Sequence, residues 1–172
     1  MIGGAPTVLR RARGWVPRAI PLPAPVEAPI LGCGAQLKNT FCLAVGDQAV
    51  LGPHVGDLDR LEAFEAYGEA IDRLERFLGV RAVVVAHDLH PDFLSTRYAH
   101  TRGGTLVPVQ HHHAHAAAAL AEHRIEQAIA LCWDGSGLGP DGAIWGGEAL
   151  LVTAAAAERI ATFHPVPLAG GE

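Results

Sequence analysis

Ala82-Val83-Val84-Val85-Ala86-His87-Asp88-Leu89-His90-Pro91-Asp92 opens with five apolar residues in a row and then turns polar. An unbroken apolar run this short, rich in β-branched residues, is the pattern of a strand covered on both faces, as under the helices of an α/β sheet. Upstream, Leu58, Leu61, Phe64, Ile71, Leu74 and Leu78 recur every three to four residues. They predict an amphipathic helix over about 58–78, with Asp57 and Asp59 as N-caps, Glu62 three residues after Asp59, and Gly79 as its stop. Downstream, a helix over about 92–102 starts at a capping Asp92 and ends at Gly103-Gly104, and Leu106 to Val109 forms a strand. His111 to His123 is alanine-rich and helical, and Ala128 to Trp133 returns to strand. Further out, Ile30–Gly34, Thr40–Val45 and Ala49–Leu51 are short strands close enough for an antiparallel meander. At the other end, Ala143–Trp145 and Ala149–Val152 suggest a hairpin, with Ile160–Phe163 as a last strand. The order β-β-β-α-β-α-β-α-β-β-β predicts an α/β fold, a mixed sheet flanked by helices.

Composition narrows the function classes. Of 172 residues, 49% are hydrophobic and 18% charged, enough apolar material for a core. The net charge of −5 argues against nucleic-acid binding by bulk charge, and the cluster Arg10, Arg11, Arg13 and Arg18 reads as a solvated charge run. Cys33, Cys42 and Cys132 form no CxxC pair and sit in apolar surroundings, which favours buried free thiols in a reducing cytoplasm. No apolar run is long enough for a membrane span, and Met1-Ile2-Gly3-Gly4 lacks the layout of a signal peptide. Prolines 17, 21, 23, 25 and 29 make residues 1–29 an extended tail and linker.

The sharpest chemical signal is Val109-Gln110-His111-His112-His113-Ala114-His115. Positions i and i+4 share a helix face, so His111 and His115 can put two imidazoles on one divalent ion, zinc or iron. The competing view, a fortuitous or tag-like run, fits poorly between two well-patterned elements. His112 and His113 are candidate catalytic residues beside the pair. Trp133-Asp134-Gly135-Ser136-Gly137 follows a strand; Gly135, Ser136 and Gly137 can bring backbone N–H groups to phosphate oxygens, and Asp134 can hold Mg²⁺ or orient a nucleotide. A plain Asp-Gly hairpin would look similar. Lys38 and Asn39, in the turn after the first strand, are candidate phosphate contacts, against the simpler view of a surface lysine in a turn. Asp88 and His90 follow a buried strand, where α/β sheets place their ligands, and are further catalytic candidates.

Together these segments resemble one family. Leu37–Phe41, Ala86–Ala99, Val109–His115, Asp134–Glu148 and Pro167–Glu172 are similar, in order, to the Kae1-like domain of HypF-type carbamoyltransferases. Val8 to Pro17 resembles the end of the YrdC-like domain that precedes it. The resemblance implies one lobe of an actin/Hsp70-like (ASKHA, ribonuclease H-like) fold over 30–172. It implies a divalent metal on His111 and His115, ATP and carbamoyl-adenylate as cofactors, and phosphate handling near Lys38 and Asp134 to Gly137. It also implies the activity: carbamoyl phosphate and ATP give carbamoyl-adenylate, whose carbamoyl group passes to the C-terminal cysteine of a HypE-type acceptor during [NiFe] hydrogenase maturation. It implies no particular role for His112, His113, Asp88, His90 or Glu148. Family members carry further domains before this region and a second lobe after it. The chain is therefore expected to be incomplete, to draw a third metal ligand from that lobe, and to leave an inter-lobe face exposed.

Three other readings compete. A tRNA threonylcarbamoyl-transferase-like protein is disfavoured by the HHHAH run and the HDLHPDFLST segment. A metallohydrolase would need a carboxylate base in an HExxH setting, which is absent. A non-catalytic metal-binding remnant remains the alternative to the transferase.

Overall fold

The computed structural model describes residues 18–164. The expected YrdC-like tail at 8–17, the arginines before residue 18 and the Pro167–Glu172 segment lie outside the described residues. The described chain folds into two sheets. The first has six strands in the order β1-β4-β3-β2-β5-β6, from β1 (Ile20–Pro21), β2 (Ile30–Gly32), β3 (Cys42–Val45), β4 (Gln48–Leu51), β5 (Val84–Asp88) and β6 (Thr105–Val109). β1 to β4 pair antiparallel, whereas β2, β5 and β6 run parallel. The sheet is mixed, as the sequence predicts. The meander's tight turn at Gly46 (φ 58°) gives its antiparallel half, and the helical crossovers give the parallel half.

Helix α1 (Leu61–Leu78) and α2 (Leu94–Arg102) cover this sheet. Tyr67 and Ile71 of α1 and Ala99 of α2 join Leu31, Cys33, Phe41, Leu43 and Val85 in one core. Each large apolar side chain buried there is worth about 1.5–3 kcal/mol. The Tyr67 hydroxyl meets its buried acceptor, Cys33 O, at 2.9 Å. Gly79 ends α1 at φ 67°, as its position predicts.

Helix α3 (His111–His123) turns Ala116 and Leu120 onto the second sheet, β7-β8-β9, where Trp145, Leu150 and Val152 receive them. This sheet comprises β7 (Gln127–Leu138), β8 (Ile144–Thr153) and β9 (Ala157–Thr162).

Several local expectations change. The expected hairpin over 143–152 is one continuous strand, β8, because Gly146 and Gly147 lie within the ladder rather than breaking it; a Cβ on Gly147 would stand 2.8 Å from the Phe163 ring. Asp134 to Gly137 is not a turn but an irregular part of β7. The pairs Trp133↔Gly147 and Gly137↔Trp145 set four steps of β7 against two of β8, which is a bulge. The turn itself comes later, with Gly142 N–H bonded to Gly139 O at 3.0 Å. The caps differ too. α1 starts after Arg60 with no side-chain cap, and Asp57 accepts the Lys38 N–H instead, at 2.7 Å. Asp92 pairs with Arg97, and the first turn of α2 is closed by Gln36, whose Oε1 accepts the Leu94 N–H at 2.8 Å. Within the proline-rich linker, Ile20 and Pro21 form an edge strand on β4, a place that tolerates proline's missing donor.

Candidate metal centre

The parallel strands β5 and β6 end at the same edge of the first sheet, and α3 begins there. Gln110 caps α3: its Oε1 accepts the His113 N–H at 2.9 Å. This fixes the first turn of the helix, and the one-turn spacing of His111 and His115 brings their rings to 4.8 Å between centroids. Their Nε2 atoms are 3.2 Å apart. Asp134 reaches the same point from the β7 bulge, with Oδ2 2.8 Å from His111 Nε2 and 3.4 Å from His115 Nε2. All three ligand-type atoms lie within 4.8 Å of one another.

These atoms fit a small divalent cation. Donors bound tetrahedrally at about 2.0 Å stand roughly 3.3 Å apart, close to the separations here. Asp134 Oδ2 is buried and makes no hydrogen bond of acceptable geometry despite its 2.8 Å approach to His111. Two imidazoles and one carboxylate form a borderline donor set that suits zinc or ferrous iron.

A second layer orients the first. Asp88, at the end of β5, has Oδ2 2.8 Å from His111 Nδ1, and its Oδ1 accepts the His90 N–H at 2.9 Å. A proton held on Nδ1 leaves the Nε2 lone pair of His111 free for a metal. The Asp88 hydrogen bond raises the His111 pKa above its ordinary value; burial opposes this, and the charges of Asp88 and Asp134 add to it. Burial alone would raise the Asp134 carboxyl. The Gly135 N–H, 2.7 Å from Oδ1, and the surrounding imidazoles outweigh burial and hold it below the usual carboxylate range.

The other predicted residues go elsewhere. Asp88 serves His111 rather than the ligand position. His90 stacks on Phe93 with 4.4 Å between centroids, and only its backbone touches the cluster, through Asp88. His113 Nε2 lies 2.9 Å from Thr153 O, tying α3 to the end of β8. His112 is fully buried between α3 and the second sheet. Asn39 is buried, and its amide donates to Cys33 O and Ala35 O, which closes its own loop. Lys38 is exposed in a left-handed conformation (φ 48°). Among the described residues no hydrogen bond or ion pair joins Lys38 or Asn39 to Asp134–Gly137. Gly135 and Ser136 are exposed on the bulge. Gly137 is buried, and a Cβ there would stand 2.8 Å from His111 Cβ and 2.9 Å from His112 Cε1. Burial pushes the Cys33 and Cys42 thiols up to about 11, so both stay protonated.

Sequence reasoning expected a further ligand from a following lobe; among the described residues, Asp134 is the carboxylate that lies beside the imidazole pair. That reasoning also missed Gln110 and Gln36 as caps, because glutamine ranks outside the usual N-cap set.

Comparison with known proteins agrees with this architecture. Residues 25–122 match the HypF Kae1-like domain, and residues 130–172 match the second subdomain of the carbamoyltransferase Kae1-like domain. The two matches meet between α3 and β7, where the second sheet begins. Carbamoyltransferase HypF2 of Cupriavidus necator is 50% identical over 169 residues, covering 95% of this chain and 21% of that protein. Carbamoyltransferase HypF of Synechocystis sp. is 39% identical over 174 residues, covering 100% and 23%. The chain thus spans between a fifth and a quarter of these relatives. The crystal structure of full-length HypF in the phosphate- and nucleotide-bound form superposes with a TM-score of 0.84 at 45% identity, over 88% of this chain and 20% of that one. The crystal structure of T. kodakarensis HypF gives 0.86 at 35% identity, over 95% and 22%. On its sequence and its fold, the chain belongs to the HypF Kae1-like domain family of carbamoyltransferases.

Proposed function

We propose that this chain carries the metal-binding face of a carbamoyltransferase that moves a carbamoyl group from carbamoyl-adenylate to the C-terminal cysteine of a HypE-type acceptor in [NiFe] hydrogenase maturation. The observation that carries the proposal is the convergence of His111 Nε2, His115 Nε2 and Asp134 Oδ2 on one point, with Asp88 behind His111. A divalent iron or zinc ion held there would polarise a carbamoyl carbonyl or phosphoryl oxygen as a Lewis acid.

The chain's own residues prepare that chemistry. Asp88 keeps a proton on His111 Nδ1 and so presents the opposite lone pair. Asp134 stays ionised and supplies the negative charge. The Gly137 backbone lets the bulge approach the first turn of α3. A nucleotide reading for the exposed Gly135–Ser136 backbone is supported by the phosphate- and nucleotide-bound state of the full-length HypF relative; Mg²⁺ would accompany such a nucleotide.

Metal analysis of the purified chain tests the site. About one iron or zinc per chain is expected, lost in His111→Ala and His115→Ala. Equal metal content in the parent and both variants refutes the assignment. Carbamoyl transfer is tested by supplying the chain with the remaining segments of a HypF relative, carbamoyl phosphate, ATP and the acceptor. Full transfer with the His111→Ala chain rejects the mechanism.

A further inference from the structure

β5 ends at Asp88, and the metal centre depends on how that last residue of the strand is held. Its carboxylate is engaged at both oxygens, Oδ2 with His111 Nδ1 at 2.8 Å and Oδ1 with the His90 N–H at 2.9 Å. Its backbone carbonyl is engaged as well, by two side chains that play no part in the site described so far. The Thr96 hydroxyl donates to Asp88 O at 3.2 Å, and His87 Nδ1 stands 2.7 Å from the same oxygen. A carbonyl oxygen can only accept, so His87 Nδ1 carries a proton and donates it. Both side chains are buried, Thr96 at 2% exposure and His87 at 8%.

The Thr96 contact departs from what a helix does by itself. A threonine hydroxyl inside a helix ordinarily bonds a carbonyl one turn back in that helix. Thr96, in the first turn of α2, reaches eight residues back instead, to the end of β5. The turn that carries it is anchored from elsewhere, because Gln36 Oε1 accepts the Leu94 N–H at 2.8 Å. His87 and Asp88 are consecutive on β5, so their side chains leave opposite faces of the strand. His87 turns towards α2, where its ring lies 5.2 Å from that of His100 between centroids, and Asp88 sends its carboxylate to His111. The carbonyl between these two directions is therefore held from the α2 side while the carboxylate works on the other.

We propose that Thr96 and His87 are positioning residues for the metal centre, acting through Asp88. This rests on the metal reading proposed above. The two donors fix the peptide plane at Asp88, and that plane sets the direction in which the carboxylate leaves the backbone. With the plane held, Oδ2 stays within hydrogen-bond distance of His111 Nδ1, and the opposite nitrogen of that ring stays turned to Asp134. Outer partners of this kind orient a ligand and tune its affinity without touching the ion. Removing either donor frees the carbonyl to turn towards other partners, and the carboxylate turns with it.

Cobalt(II) titration of the full 172-residue chain, followed by its visible absorption bands, tests the proposal. Thr96→Val keeps the shape and removes the hydroxyl. It should weaken cobalt binding about three- to ten-fold, less than loss of a direct outer partner, and shift the bands at saturation. Thr96→Ser returns the hydroxyl and should restore both. His87→Phe should behave like Thr96→Val, and His87→Asn, whose amide fills the Nδ1 position, like the parent. Should Thr96→Val fail to fold, Thr96→Ala carries the same expectation. In an Asp88→Ala background the carboxylate is gone, so adding Thr96→Val should cost less than about two-fold. In the metal-free parent, the proton NMR signal of His111 Nδ1–H should report its bond to Asp88, move in Thr96→Val and return in Thr96→Ser. Parent-like binding by Thr96→Val or His87→Phe, no rescue by Thr96→Ser, or an undiminished loss in the Asp88→Ala background would overturn the positioning role while leaving the metal reading intact. A parent chain that takes up no cobalt overturns both.

Discussion

His111 is the residue on which the site turns, because both of its ring nitrogens are engaged. Asp88→Asn keeps the shape behind Nδ1 and removes the charge. Metal affinity should fall about ten- to hundred-fold, measured by competition with a chromophoric chelator. The pH dependence follows from the raised pKa of His111. In the metal-free protein, the protonated ring stabilises the fold fully below the unfolded value, and that contribution fades as pH rises through the higher folded value. Metal must displace the same proton, so affinity should climb with pH through and above the ordinary imidazole value of 6.5. In Asp88→Asn the climb should begin at lower pH. Calorimetric titrations at a series of pH values check both; a flat profile would contradict the role given to His111.

At the scale of elements, the site depends on how closely the β7 bulge meets α3. Gly137→Ala places a methyl 2.8 Å from His111 Cβ, on a helix already fixed by Gln110. Overpacking of this kind costs about 1–3 kcal/mol, to be read from denaturant melts, with a parallel loss of metal affinity. Helices α1 and α2 are joined by a buried ion pair between Glu75 and Arg102, each side chain 6% exposed. Arg102→Ala strands the carboxylate and should cost about 3–5 kcal/mol. Burial opposes ionisation of Glu75, but Arg102 and the Ala82 N–H outweigh it and hold the pKa below its ordinary value. The stability this pair gives is therefore present above the unfolded carboxylate value and lost as pH falls through the folded one. Acid titration of Glu75→Gln should show a shallower loss of stability than the parent.

At the scale of the whole molecule, the described residues cover the second sheet on one side only. Ile129, Leu131 and Trp133 alternate outward along β7 and are 63%, 62% and 71% exposed, with Phe163 against Trp133 at 4.7 Å between ring centroids. A contiguous apolar face of this kind drives association in an isolated chain. Sedimentation velocity should show concentration-dependent self-association, reduced in Leu131→Lys and Trp133→Arg. A monomer at all concentrations would remove the expectation. None of the described helices is long and apolar enough to cross a membrane.

The sequence by itself determined the elements and the imidazole pair. Of the valine run, Val84 and Val85 lie in β5 while Val83 stays outside it and half exposed; the repeat ending at Leu78 is helix α1 from Leu61, and Gly79 is its end. His111 and His115 share a face because the helical period is local. Only the tertiary structure decided what those faces meet. Asp88 lies 23 residues from His111, and Asp134 reaches His111 through a bulge whose register depends on β8. Gln36 closes a helix 58 residues away, while Asp92 and Asp57, the better capping residue types, serve Arg97 and Lys38. The division into two sheets was equally hidden. Periodicity records which side of an element is covered; what covers it is set by long-range pairing and packing, which no local spacing encodes.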